Sequence, residues 1–99
     1  MKVNKFITSG KVIQFSGDYR GRGGTVDFVY VIKGRQYRKT NGANVYRSEG
    51  YRFVGKQFPV VVDSTDFSNS RILLTSKDFH DYDLPLPDTL EWVKQYERH

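Results

Sequence analysis

Three stretches of this 99-residue chain concentrate side chains capable of chemistry. The first runs Gly17-Asp18-Tyr19-Arg20-Gly21-Arg22-Gly23-Gly24. Its glycines could present backbone amides to a phosphate, and Arg20 and Arg22 could clamp it. Phosphate-cradling loops of nucleotide-binding folds open a helix, whereas this one opens a strand pattern, so those readings fail. What remains is an arginine–glycine contact to nucleic acid, beside the plainer reading of a hairpin loop. The second stretch interleaves cations and rings: Arg35, Tyr37, Arg38 and Lys39, then Tyr46, Arg47, Tyr51 and Arg52. Single-strand binders use this mixture, because rings stack on bases while cations follow phosphates. The plainer reading has the rings packed, with Arg and Lys stems lying over them. The third stretch, Lys77–Asp83, holds Asp78, His80, Asp81 and Asp83. Oxygen-rich loops can hold a hard cation, but the glycine at the sixth place and the glutamate at the twelfth of a calcium loop are missing. A solvated acidic loop is the expectation there, with no metal.

Catalytic chemistry finds little footing. The chain has no cysteine, and its two histidines are His80 and the last residue, His99. No nucleophile-elbow pattern occurs. Asp63 and Asp66 sit in a run of Ser and Asn, where aspartate ordinarily bonds its own backbone. A non-enzymatic protein without cofactor is expected.

The elements that must position these residues follow from composition and spacing. The length suits one domain. Aromatic residues make up 15% of the chain, which excludes general disorder. The absence of cysteine excludes a disulfide scaffold. No apolar run approaches a membrane span, and Met1–Ile7 has no apolar core of a secretory signal, so a cytoplasmic protein is expected. The net charge of +5 is divided unevenly: residues 1–57 carry +9 and residues 58–99 carry −4. That division suggests a cationic and an anionic face, or two halves that pair with each other.

Residues 1–8 read as an N-terminal extension, and Ser9–Phe15 as the first extended segment, with Val12 and Phe15 its strongest apolar positions. Thr25–Lys33 is the clearest strand, with Val26, Phe28, Tyr30 and Ile32 on one face at period two. Lys33-Gly34 predicts a tight turn with Gly34 at positive φ, and Arg35–Thr40 the returning strand. Ala43–Gly55 reads as a long loop lying over the barrel, with room for a short turn of helix or strand. Phe58–Asp63 is a strand with Pro59 at its start or on an edge. Ser64–Ser70 reads as a polar turn with Phe67 plugged inward, and Arg71–Thr75 as the fifth strand. After Leu84-Pro85-Leu86-Pro87, Asp88 suits an N-cap with Glu91 three residues on, which predicts a short α-helix over Thr89–Arg98. Leu90, Trp92, Val93 and Tyr96 would dock it on the sheet.

The runs Ile32-Lys33-Gly34-Arg35-Gln36-Tyr37-Arg38 and Val54-Gly55-Lys56-Gln57-Phe58-Pro59-Val60-Val61-Val62-Asp63 carry a resemblance, continued by Ser70-Arg71-Ile72-Leu73. They are similar to a family of small bacterial β-domains that has no assigned function. Gly55, Phe58, Pro59, Val60, Asp63, Ser70, Arg71 and Ile72 match its pattern. Ser64 and Phe67 stand where that family has prolines, and the membrane segments that often accompany the domain are not seen. The resemblance spans roughly Gly10–Thr75 and implies a small antiparallel barrel or curled sheet, with no activity.

The expected fold is therefore mainly β, a small antiparallel five-stranded barrel or curled sheet (OB-like or SH3-like) over residues 9–75. An extended proline segment and a C-terminal helix over residues 84–98 complete the single domain. The first functional expectation is an interaction module taking a protein or peptide on a sheet edge and the Ala43–Gly55 loop. The second is single-stranded nucleic-acid binding by the basic first half, through Arg20, Arg22, Arg35, Tyr37, Arg38, Tyr46, Arg47, Tyr51 and Arg52. Fold alone does not choose between them.

Overall fold

Period-two alternation builds the centre of the molecule. The computed structural model describes residues 5–17 and 23–96, with only the backbone of Arg47. The strands are β1 (Lys5–Gly17), β2 (Gly24–Ile32), β3 (Arg35–Ala43), β4 (Gln57–Asp63) and β5 (Asp66–Ile72). They form one antiparallel sheet in the order β3-β2-β1-β4-β5. The sheet curls until its two edges, β3 and β5, meet, giving a nearly closed barrel.

The inner face follows the alternation of β2. Val26, Phe28, Tyr30 and Ile32 are buried, together with Val12, Phe58, Val60, Val62, Ile72 and Leu74. In β1 a bulge between Val12 and Gln14 shifts the register. Val12 and Phe15 lie three apart, so a regular strand would put them on opposite faces. The extra residue puts both inside, opposite Phe28 and Val26.

The β2–β3 hairpin turns on Lys33 and Gly34, as its sequence predicts. Gly34 has φ +80° and Lys33 φ +52°. Paired positive φ values match the twist of the strands they join. β1 begins earlier than its alternation suggests: Lys5–Thr8 pair with Val60–Asp63. β5 likewise begins at Asp66, inside the run expected to be turn. Phe67 is half-buried and packs edge-on to Phe6 and Tyr37.

No ladder joins β3 to β5. The seam is closed by side chains: the Tyr30 hydroxyl donates to the Phe67 carbonyl, and the Ile72 amide donates to Asn41 Oδ1 at 2.9 Å. Burial pushes the Tyr30 phenol above its usual range.

Among the described residues, three short helices lie outside the sheet. A 3-10 helix, Arg47–Phe53, occupies the middle of the expected Ala43–Gly55 loop. Its Gly50 and Phe53 are buried three residues apart, the spacing at which 3-10 side chains align. A Cβ on Gly50 would lie 2.2 Å from the Phe15 ring, so only glycine lets this helix sit so close. The second, α1 (Ser76–Asp81), replaces the acidic loop expected over Lys77–Asp83. Thr75 caps it, in a reciprocal box with Asp78. Asp78 is 8% exposed and accepts from the Leu74 and Thr75 amides at 3.0 and 3.2 Å. Its other oxygen meets Arg71 at 3.3 Å. Phe79 joins Val61 and Leu73 in a second core on the outer side of β4. The third helix, Asp88–Gln95, is 3-10 and not the α-helix expected, and Pro87 rather than Asp88 stands at its N-cap. Leu90, Val93 and Tyr96, each three apart, are its inward residues, so the packing period is three. Trp92 is half-buried beside Phe53, Phe58 and Tyr96, its ring centroid 5.1 Å from that of Phe53. The Tyr46 amide donates to the Tyr96 carbonyl at 2.9 Å, which ties the two 3-10 helices together.

Candidate nucleic-acid interface

β3 organises the expected site residues. It is nine residues long, so it spans about 26 Å from Arg35 to Ala43. Register with β2 decides which way each side chain points. Tyr37 lies opposite Tyr30 and Arg35 opposite Ile32, so they belong to the inner row; Arg38 lies opposite Val29 on the outer row. The expected residues therefore do not form one patch. They form three groups along one edge of the barrel.

The first group stands where the β2–β3 turn meets the β4–β5 turn. Tyr37 is half-buried, stacked on Tyr30 with centroids 5.3 Å apart and planes 13° apart. Tyr30 in turn stacks on Phe28. The Arg35 guanidinium carbon lies 5.3 Å from the Tyr37 centroid, and Lys33 Nζ 5.7 Å from that of Phe67. An open cleft of about 340 Å3 lies beside them, lined by Arg35, Tyr37 and Ser64–Ser68. Lys33 and this cleft escaped the sequence reading. The only signal was a lysine at the strand end, before the turn glycine.

The second group is the outer row Lys11, Val29 and Arg38, aligned across β1, β2 and β3. Arg38 pairs with Asp27 at 2.9 Å, and Thr40 donates to the same carboxylate at 2.8 Å. These bonds, Arg38 first, hold the Asp27 carboxyl below its ordinary pKa. Arg38 is thus partly neutralised. Among the described residues, Lys11, Lys33, Arg35 and Lys39 have no carboxylate within ion-pairing distance.

The third group lies beyond the C-terminal end of β3. Tyr46 is 46% exposed and Tyr51 62% exposed, on and just before the first 3-10 helix. Arg52 pairs with Glu49 and lies over both Tyr51 and Tyr96, at 5.2 and 5.0 Å from their centroids. Arg20 and Arg22 lie outside the described residues, as does the side chain of Arg47.

The arrangement is a cationic, aromatic-studded strand edge on a small antiparallel β-barrel. It offers positive charge and ring faces. Among the described residues no three metal-ligating side chains cluster, and no helix is long and apolar enough to cross a membrane. Comparison with family models, with curated proteins and with solved structures found no match to this chain.

Proposed function

We propose that this barrel is a non-catalytic module that binds single-stranded nucleic acid along β3. The carrying observation is the edge itself. Among the described residues, Lys33, Arg35, Arg38 and Lys39 have one carboxylate partner between them, Asp27, and they alternate along β3 and its turn, beyond whose C-terminal end stand the exposed rings of Tyr46 and Tyr51. A backbone could follow the cations while bases stack at either end. The strand order supports the reading. β3 comes round beside β5, as in OB-like barrels, which take oligonucleotides on their second and third strands and the flanking loops.

The peptide-binding reading keeps the first 3-10 helix, where Tyr46, Tyr51 and the 39%-exposed Val54 offer an anchor of the kind interfaces use. At the sheet edge, β3 and β5 meet at the Asn41–Ile72 bond, which narrows the stretch open to strand addition.

Fluorescence anisotropy with a labelled single-stranded oligonucleotide, at near-physiological salt with heparin as competitor, tests the proposal. Arg38→Ala should lower the log–log salt slope by about 0.7 for the phosphate contact removed. Asp27→Asn should tighten binding, because it frees Arg38. Tyr51→Ala should weaken binding by about 1–3 kcal/mol with the slope unchanged. No binding under these conditions, or binding that responds to charge variants alone, overturns the reading: any protein with a pI near 9.6 collects polyanions at low salt.

A further inference from the structure

The cleft between β3 and the β4–β5 turn is more specific than a phosphate track requires. Phe28, Tyr30 and Tyr37 form a column of stacked rings, with successive centroids 5.9 and 5.3 Å apart. The Arg35 guanidinium carbon lies 5.3 Å from the Tyr37 centroid, over the last ring of this run. A guanidinium is planar and stacks on bases as a ring does. Arg35 and Tyr37 both line the cleft, which therefore offers a base a planar cation beside a ring. Across the cleft stands Asp66. Its Oδ1 accepts from the Ser68 amide at 3.1 Å and from the Ser68 hydroxyl at 2.7 Å, which fixes the carboxylate. Its Oδ2 has no donor among the described residues.

Resting on the nucleic-acid reading above, we infer that this cleft receives one guanine base of the bound strand. Guanine stacks on Arg35 and turns its Watson–Crick edge to Asp66. That edge carries two adjacent donors, N1–H and the N2 amine, and the two open lone pairs of Asp66 Oδ2 accept from both, since Oδ1 is taken by Ser68. Adenine and cytosine offer the carboxylate a single amine flanked by a ring acceptor, which repels it. Thymine offers one N–H flanked by two carbonyls. Asp66 thus selects against three bases by unpaired or opposed groups as well as for the fourth by pairing.

The test compares thymine oligonucleotides carrying one central guanine, adenine or cytosine, by anisotropy at near-physiological salt. The guanine strand should bind about tenfold tighter or more, as expected of a bidentate base contact. Asp66→Asn should abolish that preference, read as the ratio of guanine-strand to all-thymine affinity, because loss of the carboxylate charge strengthens binding of every strand alike. Arg35→Lys keeps the charge and loses the plane, so it should reduce the preference without changing the salt slope. Equal binding of all strands to the unmodified protein overturns the guanine cleft and leaves the strand-binding reading standing. Absence of all strand binding overturns that reading instead. Free guanosine monophosphate, followed by NMR shifts at Tyr37 and Ser68, then decides the cleft separately: shifts absent with the adenosine nucleotide uphold it, and no shifts overturn it.

Discussion

Replacing Phe53 by alanine should unfasten one whole side of the barrel. The ring is fully buried, stacks on Phe58 at 5.6 Å and tilts against Trp92 at 5.1 Å. It is the side chain through which the first 3-10 helix, and with it Tyr51 and Arg52, is held on the sheet. Losing the transfer free energy of a buried phenyl group, together with the cavity left behind, costs about 3–5 kcal/mol. The two ring contacts fall within that range, since they are lost in the same substitution. A domain of this size has about 5–15 kcal/mol of total stability. A loss of about 4 kcal/mol lowers the melting temperature by roughly 16–32 °C, at about 4–8 °C per kcal/mol. Trp92 is the sole tryptophan, so its fluorescence reports on the same cluster while circular dichroism follows the strands. Phe53→Ala should show an early fluorescence change and a lowered melting transition, and Phe53→Leu about half the loss. A melting temperature within a few degrees of the unmodified protein would refute the reasoning, because it would mean that the 3-10 helix is held by something other than this ring.

Asp78→Ala should cost about 2–3 kcal/mol in a urea titration, since it strands the Leu74 and Thr75 amides in a buried setting and removes the reciprocal half of the capping box of α1; Asp81→Ala, on the exposed side of the same helix, should change little. Gly50→Ala should destabilise more than Gly34→Ala, because the first drives a methyl group into the Phe15 ring whereas the second meets nothing within 4 Å and bears only the cost of positive φ, about 1–2 kcal/mol; the reverse ranking by thermal melting would contradict the close approach. The carboxyls of Asp27 and Asp63 titrate below their unfolded values, Asp27 through Arg38 and Thr40 and Asp63 through Thr65. Their contribution is therefore complete above the unfolded pKa, about 3.9, and is lost as pH falls through the folded values. Tyr30 acts oppositely at the alkaline end: its raised pKa gives stability that is complete below about pH 10 and is lost above it. Denaturant midpoints followed across pH check both limbs, and Asp27→Asn should flatten the acid one.

The β2–β3 hairpin was legible because several local signals agreed there: strict alternation in β2, a Lys-Gly turn and an alternating return. The bulge in β1 was not, because Val12 and Phe15 are compatible with either a regular strand or a shifted one until Phe28 and Val26 fix their partners. Two helix starts in the last quarter of the chain show how an identical signal can mislead. A residue able to cap, followed three places on by an acid, occurs both at Thr75–Asp78 and at Asp88–Glu91, and only the first is used. What decides is tertiary: Phe79 has a core to join on the outer side of β4, whereas Leu90, Val93 and Tyr96 repeat every three residues and draw the last segment into a 3-10 helix. The site was legible as a list of residue types and not as a surface. Alternation put Tyr37 and Arg38 on opposite faces but did not say which face was inward, and no local pattern reveals that Arg35 lies over Tyr37, the last of a run of rings begun at Phe28.

The seam between β3 and β5 also shapes how the chain must reach its fold. β1, β2 and β3 are joined by short connections and can pair early, whereas the seam joins residues 31 positions apart at Asn41 and Ile72 and can form only after β4 and β5 are in place. Until then two bare strand edges stand open, each able to zip onto the same edge of another chain. The Asn41 amide group is thus a late clasp, and Asn41→Ala would show itself first as aggregation during refolding, before any change in the finished barrel.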